Sequence, residues 1–312
     1  MASSIGQLPH HTRSRSIATS SPVGPVPPPT EQQPAMRLAH DRASLGTARA
    51  GLPSPVGLVP TMGALHAGHL ALIERARAEC ASVVVSIFVN PTQFGPGEDY
   101  ERYPRRLDED VQACRTTGVD LVFAPDVEAV YPPGYATTVD IGPLGSVLEG
   151  AVRPGHFRGV ATVVAVLFGL VRPDRAYFGQ KDGQQAVVIE RLVRDLALPV
   201  VVSVVPTVRE PDGLALSSRN AYLTVSERAA APVLHRALRA AADEHARGQR
   251  DAERLRARMR EVLEGVPIAR PDYVSVADRD TLRELDALEG PALLSLGVRF
   301  PSARLIDCWP LD

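Results

Sequence analysis

The chain has 312 residues, of which 45% are hydrophobic and 22% charged, a composition typical of a globular protein that is long enough for two domains. Its formal net charge of −2 argues against a general role in binding nucleic acid or a membrane surface. The three cysteines, Cys80, Cys114 and Cys308, are scattered and odd in number, so we expect free thiols in a reducing, cytoplasmic compartment rather than disulfides or a metal site.

The first 50 residues are rich in serine and proline, and no acidic residue precedes Glu31. A segment of this composition buries too little apolar surface to offset the entropy lost on ordering. It has some likeness to a transit peptide. We predict a disordered extension over 1–50.

From residue 51 onward, short apolar runs alternate with amphipathic stretches, as in repeated βα units. Buried strands are predicted at 57–61, 82–90, 120–125, 175–179 and 200–205. Helices are predicted between them at 69–80, 105–117, 156–171 and 184–196. No run approaches the ~20 apolar residues of a membrane span. The pattern predicts a Rossmann-like, doubly wound α/β domain over 51–206, with ligands bound at the carboxyl ends of its parallel strands.

After Pro206 the pattern changes to helices followed by strands. Two helices are predicted at 226–247 and 251–265, and short strands at 272–278, 292–300 and 304–309. This order predicts a smaller α+β domain over 207–312.

The segment PTMGALHAGHL, residues 60–70, places two histidines at a predicted strand-to-helix junction. His66 and His69 are three residues apart, so both imidazoles can point to the same side of the helix, and Gly68 lets a ligand approach closely. A helix N-terminus also attracts anions. Phosphate binding is therefore favoured over two satisfied core histidines. A metal site is the weaker alternative, because no third ligand with zinc-like spacing is near.

Lys181 is the only lysine among 34 basic residues, and it follows a predicted strand in the stretch FGQKDGQQ. Chance is one explanation. The other is that this position needs a compact, mobile ammonium, which a planar guanidinium does not imitate.

The stretch LSSRN, residues 216–220, offers the hydroxyls of Ser217 and Ser218 and the guanidinium of Arg219 as donors to phosphate oxygens. Such strings are also common as plain polar turns.

Together these motifs resemble the pantothenate synthetase, or pantoate–β-alanine ligase, family of the HxGH nucleotidylyltransferases. The resemblance covers about residue 56 to the C-terminus and is carried by GLVPTMGALHAGH, FVNPTQFGPGEDYERYPR, RPGHFRGVATVV, FGQKDGQQ, VPTVREPDGLALSSRNAYL and RLID. It implies an AMP-forming carbon–nitrogen ligase of pantothenate and coenzyme A biosynthesis. In that family, pantoate attacks the α-phosphate of ATP and the amine of β-alanine then attacks pantoyl adenylate.

The resemblance also implies roles for individual residues. His69 takes the position of a proton donor, and Lys181, His66, His69 and Arg219 would add positive charge at the phosphates. The implied ATP site consists of Met62, Gly63, Ala64, Leu65, His66, Ala67, Gly68, His69, Gly179, Gln180, Lys181, Asp182, Val208, Leu216, Ser217, Ser218 and Arg219. The implied pantoate and β-alanine site consists of Gln93, Gln185 and Asn90, with Arg153 and His156 matching the family without an assigned role. Mg²⁺ would enter with the nucleotide phosphates rather than at a protein metal site, and the family implies a homodimer formed through the N-terminal domain.

Three positions depart from the family pattern. Gln180 stands where an acid is usual, Gly183 where an aromatic residue is usual, and Cys308 where an asparagine is usual. We expect Gly183 to open space beside the nucleotide and Cys308 to lie far from the chemistry. A catalytically silent nucleotide-binding paralogue therefore stays open as an alternative. A third possibility is an adenylyltransferase that keeps its nucleotide product, in which Gln93 and Gln185 would have no obvious partner.

Overall fold

The computed structural model describes residues 35–312, which form one compact unit. A strand, β1 (Arg37–Ala39), and a helix, α1 (Arg42–Ala50), lie where disorder was predicted. Asp41 caps α1, and Leu45 of the helix is buried in the core. The prediction of a disordered extension is therefore wrong for 37–50, because a three-residue strand and an arginine-containing helix give too weak a pattern to detect. The first 34 residues of that prediction lie outside the described part.

The larger sheet has six parallel strands in the order β1-β4-β3-β2-β5-β6. After β1, its strands are β2 (Val56–Thr61), β3 (Ser82–Ile87), β4 (Leu121–Phe123), β5 (Arg175–Gly179) and β6 (Val201–Val205). The chain runs outward from β2 to one edge and from β5 to the other. This confirms the predicted doubly wound, Rossmann-like sheet.

Helices cover both faces of this sheet. They are α2 (Ala67–Glu79), α3 (Leu107–Thr116), α4 (Val127–Val130), α5 (Glu149–Val152), α6 (His156–Val171) and α7 (Gly183–Asp195). Side chains of α1, α6 and α7 share one core with Leu58, whereas those of α2 and α3 share the opposite core with Val59. Neighbouring strand residues face opposite sides, so a continuous apolar strand supplies both cores.

The rest of the chain forms helices and a smaller sheet. Its elements are α8 (Val225–Ala230), α9 (Val233–Ala246), α10 (Ala252–Glu264), β7 (Arg270–Asp278), β8 (Ala292–Arg299) and β9 (Arg304–Leu311). The strands pair antiparallel in the order β7-β8-β9, and α9 and α10 pack on them. The helix predicted at 226–247 is two helices, because Pro232 has no N–H to continue the hydrogen-bond ladder and its ring clashes with the preceding turn. The smaller α+β part is confirmed, while the domain boundary at 206 stays a prediction.

Across residues 35–312, we find no helix that combines the length and the apolar character needed to cross a membrane.

Candidate active site

A cleft of about 680 Å³ opens at the carboxyl ends of β2 and β5. These strands are neighbours, but the chain leaves them toward opposite edges of the sheet, so the loops that follow them separate and leave a crevice. One loop leads into α2 and the other into α7. Residues of β9 and its preceding turn form part of the opposite wall.

The loop after β2 is fixed by a carboxylate that the sequence analysis missed. Gly63 and Ala64 have φ of +83° and +50°. Asp110 of α3 is 3% exposed and accepts the N–H groups of Ala64 at 2.9 Å and Leu65 at 2.7 Å. A Cβ at Gly63 would lie 2.9 Å from an oxygen of Asp110. The loop amides are therefore already bonded, and the cleft-facing donors come from the histidines that follow.

His66 and His69 hold each other in one orientation at the start of α2. Nδ1 of His66 accepts the Gly68 N–H at 3.1 Å, Nδ1 of His69 accepts the His66 N–H at 3.3 Å, and the ring centroids are 4.1 Å apart. A ring nitrogen that accepts a hydrogen bond carries no proton, so each neutral ring carries its proton on Nε2. Both side chains line the cleft.

These imidazoles are neutral, contrary to the expectation that they add positive charge. Burial, followed by the charge of Lys181, lowers the pKa of His66 to about 4. Burial, followed by His66 and Lys181, lowers the pKa of His69 to about 3. At neutral pH the pair therefore offers Nε2–H donors to an anion instead of a second and third cation.

Lys181 lies in a single turn of 3₁₀ helix, Gln180–Asp182, between β5 and α7. Its side chain lines the cleft, and its Nζ is 3.8 Å from the carboxylate of Asp182. This distance leaves the ammonium only loosely paired. The cation and the two imidazole donors thus come from the two loops that flank the crevice.

The LSSRN stretch contacts a loop of the larger α/β part. Arg219 donates to both oxygens of Asp99, at 2.9 and 3.0 Å, and Ser218 bonds the hydroxyl of Tyr103 at 3.2 Å. The positive charge of Arg219 is therefore compensated here. These contacts bring residues from both predicted domains together over one side of the cleft.

Gln93 sits in a short turn that Asn90 holds. The amide nitrogen of Asn90 donates to Gln93 Oε1 at 3.1 Å and to the carbonyl of Gly159 at 3.2 Å. Its oxygen accepts from Tyr131 at 2.9 Å and from Thr92. With both amide hydrogens used, Asn90 shapes the pocket. Within the described part of the chain, the Nε2 of Gln93 bonds only the sulfur of Met62, at 3.2 Å.

Arg153 and His156 both bond the backbone of the turn that carries Gln93. Nδ1 of His156 donates to the carbonyl of Gln93 at 2.8 Å, and Arg153 reaches that carbonyl at 3.3 Å while pairing with Glu98. Burial and the charge of Arg153 lower the pKa of His156 to about 4, so it is neutral. These residues, which the sequence analysis left without a role, fix the backbone that presents Gln93.

The two glutamines at the start of α7 have different environments. Gln184 is buried and bonds Glu149, Leu144 and Val147 through its side chain. Both glutamines line the cleft, but Gln185 is only half-buried. Gln185 is therefore the member of the pair that can meet a ligand.

Most of the residues implied by the resemblance line this cleft: Met62, His66, Gly68, His69, Asn90, Gln93, Gly179, Lys181, Asp182, Gln185, Val208, Leu216, Ser217, Ser218 and Arg219. Five that were placed in the ATP site do not line it: Gly63, Ala64, Leu65, Ala67 and Gln180.

Gly183 and Cys308 touch each other, contrary to the expectations for both. Gly183 lines the cleft, but a Cβ there would lie 2.7 Å from the sulfur of Cys308, so the space beside this glycine is taken by the cysteine. Cys308 lines the cleft instead of lying far from it, because β9 returns to the turn that carries Lys181.

Ion pairs hold the wall formed by β9. Arg304 contacts both oxygens of Glu149, at 2.6 and 2.7 Å, and Arg209 contacts both oxygens of Asp307, at 2.6 and 3.0 Å. The RLID motif supplies Arg304 and Asp307, and Glu149 is a residue that the sequence analysis missed. These pairs attach β9 to α5 and to the segment that follows β6.

Within the described residues, no group of three or more His, Cys, Asp and Glu side chains is arranged to hold a metal ion. Two acidic side chains of the cleft, Glu98 and Asp99, are already paired with Arg153 and Arg219.

Comparison with known proteins agrees with this geometry. A family model described as "Pantoate-beta-alanine ligase" matches residues 35–310. Pantothenate synthetase of Chloroflexus aurantiacus is 62% identical over 278 residues, which are 89% of this chain and 99% of that protein.

Two solved structures share the fold. The crystal structure of pantothenate synthetase from Thermus thermophilus superposes with a TM-score of 0.84 at 55% identity, covering 88% of this chain and 99% of that one. Pantoate-beta-alanine ligase from Francisella tularensis, described as a complex with beta-gamma ATP and beta-alanine, has a TM-score of 0.72 at 35% identity, covering 88% and 97%.

Proposed function

The chain belongs to the pantoate–β-alanine ligase family, and we propose that its cleft joins pantoate to β-alanine in a reaction driven by ATP. In the first step a carboxylate oxygen of pantoate bonds to the α-phosphorus and pyrophosphate leaves. In the second, the β-alanine amine bonds to the acyl carbon, and AMP leaves as the amine loses a proton. The observation that supports this most directly is the convergence of Lys181, the two imidazoles and two glutamines on one cleft.

For the first step, we assign His66 and His69 as neutral donors to phosphate oxygens. Their Nε2–H groups are fixed before the nucleotide arrives, so no reorganisation is needed as charge shifts toward pyrophosphate. A pKa of about 3 makes His69 a poor proton donor at neutral pH, which favours hydrogen bonding as its role. Lys181 supplies a mobile charge that follows the phosphates.

Gln93 and Gln185 are assigned to pantoate. A neutral amide bonds hydroxyl and carboxylate groups without adding charge. Gln93 is held by Asn90 and by the contacts of Arg153 and His156, so its amide is positioned in advance. Holding the carboxylate in line with the α-phosphorus supplies much of the acceleration.

The part from residue 207 onward is assigned as a lid. Its Ser218 and Arg219 already contact Tyr103 and Asp99 of the larger part. Closing this side excludes water from the labile acyl adenylate until β-alanine attacks.

Mg²⁺ is assigned as a companion of the nucleotide, whose phosphate charge it neutralises when bound. Because Glu98 and Asp99 are paired with arginines, binding through phosphate oxygens and water fits this cleft better than binding through a set of protein carboxylates.

A homodimer formed through the larger α/β part of the chain is also proposed. A cytoplasmic location is proposed as well, because the three cysteines are free thiols. Strand β6 is an edge strand, and Val201 and Val204 are 53% and 37% exposed on it. An apolar edge of this kind is suited to pairing with a second copy.

Light scattering of a Val201→Lys variant should show a monomer, whereas Val225→Lys, at an exposed site on α8, should leave the dimer intact. A monomeric parent chain would contradict the homodimer.

The deciding experiment mixes the purified chain with ATP, Mg²⁺, pantoate and β-alanine. We expect AMP and pantothenate in equal amounts, and no sustained pyrophosphate release when β-alanine is omitted. Sustained release without β-alanine would indicate an adenylyltransferase instead. Absence of AMP above background at several Mg²⁺ concentrations would indicate a silent paralogue. That alternative is weakened because Gln180 does not line the cleft and the Cys308 sulfur occupies the space that a side chain at Gly183 would fill.

A further inference from the structure

The turn that carries Lys181 has little support of its own. Among residues 35–312, no side chain caps the 3₁₀ turn Gln180–Asp182 or the start of α7. An outside contact comes from β9, where the buried thiol of Cys308 donates to the carbonyl of Gln180 at 2.8 Å. The peptide that precedes Lys181 therefore bonds a side chain of the smaller sheet.

Gly183 lies on the other side of the same sulfur. Its φ of −56° and ψ of −43° are ordinary helical values that any residue adopts, so backbone conformation does not require a glycine. The available space does require a glycine, because a Cβ there would lie 2.7 Å from the Cys308 sulfur and 3.1 Å from Leu293. The glycine and the cysteine are thus sterically matched.

Resting on the function proposed above, we propose that Cys308 is a positioning residue for Lys181, and that Gly183 is the steric partner that lets its thiol reach the Gln180 carbonyl. The sulfur occupies the space that a side chain at 183 would need, and its hydrogen bond sets the turn from which the Lys181 side chain extends into the cleft. Burial raises the pKa of the Cys308 thiol, which keeps it protonated and able to donate.

A double-mutant cycle tests this pairing. Gly183→Ala should lower kcat for adenylate formation, followed as pyrophosphate release, by about tenfold or more, because the turn must move away from the sulfur. Cys308→Ala should lower kcat about fivefold through loss of one hydrogen bond, and Cys308→Ser, which keeps a donor, should stay within about twofold. In the double variant Gly183→Ala/Cys308→Ala, kcat should recover to within about threefold of Cys308→Ala, since the new methyl group then has room.

Cys80→Ala is the matched control. Cys80 is another buried thiol in a hydrogen bond, to Tyr177 at 3.3 Å, and it lies at the end of α2 away from the cleft. This variant should lose thermal stability while keeping kcat.

The pairing is overturned if Gly183→Ala keeps kcat within about twofold, or if the double variant is no more active than Gly183→Ala. Melting temperatures of the same four proteins measure the coupling without any activity. The double variant should melt at least about 2 °C above the value expected from adding the two single changes. If the parent chain forms no pantothenate, the proposed function fails, whereas the melting cycle still decides the pairing.

Discussion

Replacing Gly159 by alanine tests how closely α6 must approach the turn that presents Gln93. A Cβ at this position would lie 2.3 Å from the carbonyl oxygen of Thr92 and 2.7 Å from the Cα of Gln93. Both neighbours are backbone atoms, so no flexible side chain can move aside. Ordinary carbon–oxygen contacts begin at about 3.4 Å, so the turn must shift by about 1 Å.

A displacement of this size moves the amide of Gln93 relative to the α-phosphorus. Misplacement by about 1 Å costs on the order of 10²-fold in rate, or about 2.7 kcal/mol of transition-state stabilisation. We expect Gly159→Ala to lower kcat/KM for pantoate by this factor and to change KM for ATP much less, because the nucleotide donors lie on other loops. Initial rates with each substrate varied in turn separate the two effects.

Gly169→Ala is the internal control, because Gly169 lies on the same helix and a Cβ there meets nothing within 4 Å. Alanine should stabilise α6 by up to about 1 kcal/mol and leave the kinetics unchanged. A Gly159→Ala enzyme with a kcat/KM for pantoate within about threefold of the parent would refute the assignment of the Gln93 turn to pantoate.

Three further predictions follow from single side chains. Lys181→Ala should lower the rate of adenylate formation by about 10²–10³-fold without changing the melting temperature. Lys181→Arg should have less than about a tenth of the parent activity, and near-normal turnover of this variant would contradict the need for an ammonium. Because the folded-state pKa values of His66 and His69, about 4 and about 3, lie below the ordinary 6.5, the unfolded chain binds more protons below pH 6.5. The free energy of unfolding, measured with urea, should therefore fall from pH 6.5 toward pH 4, less so in His66→Asn. Hydrogen bonds, above all from the Thr224 N–H, lower the pKa of Glu227 from 4.5 to about 2. Glu227→Gln should therefore lower the free energy of unfolding, measured with urea, by its full amount above pH 4.5, and this difference should disappear as the pH falls toward 2.

Sequence patterns were sufficient for the larger sheet because its strands are continuous apolar runs, such as the one that forms β3. They failed for β1, whose three residues are defined by pairing with β4 and not by their own composition. The break between α8 and α9 has a local cause, Pro232, which is visible in the sequence and could have predicted it.

The candidate site divides in the same way. Motifs identified side chains that face the cleft, such as His66 and Lys181, because chemistry restricts their residue type. They did not identify Asp110, which acts through backbone N–H groups more than 40 positions earlier in the chain. Nor did they show that Cys308 meets Gly183, since that contact exists only after β9 has folded back onto the larger part. One signal was available for Asp110: an acidic residue on the apolar face of a predicted helix needs a partner.

The chain uses arginine almost everywhere, yet the cleft places its one lysine between the two loops of the crevice. Arginines in and near the cleft serve a different purpose. Arg209 and Arg219 each bond both carboxylate oxygens of one partner through two nitrogens, which suits a planar fork that holds two segments at a fixed distance. Arg304 reaches both oxygens of Glu149 through a single nitrogen. Lys181 has its nearest carboxylate at 3.8 Å, and an ammonium on a flexible stem can follow a phosphate as bonds rearrange. An arginine at this position would find the same carboxylate beside it and pair with it, so the cleft would lose the loosely held cation that the transfer of an adenylyl group requires.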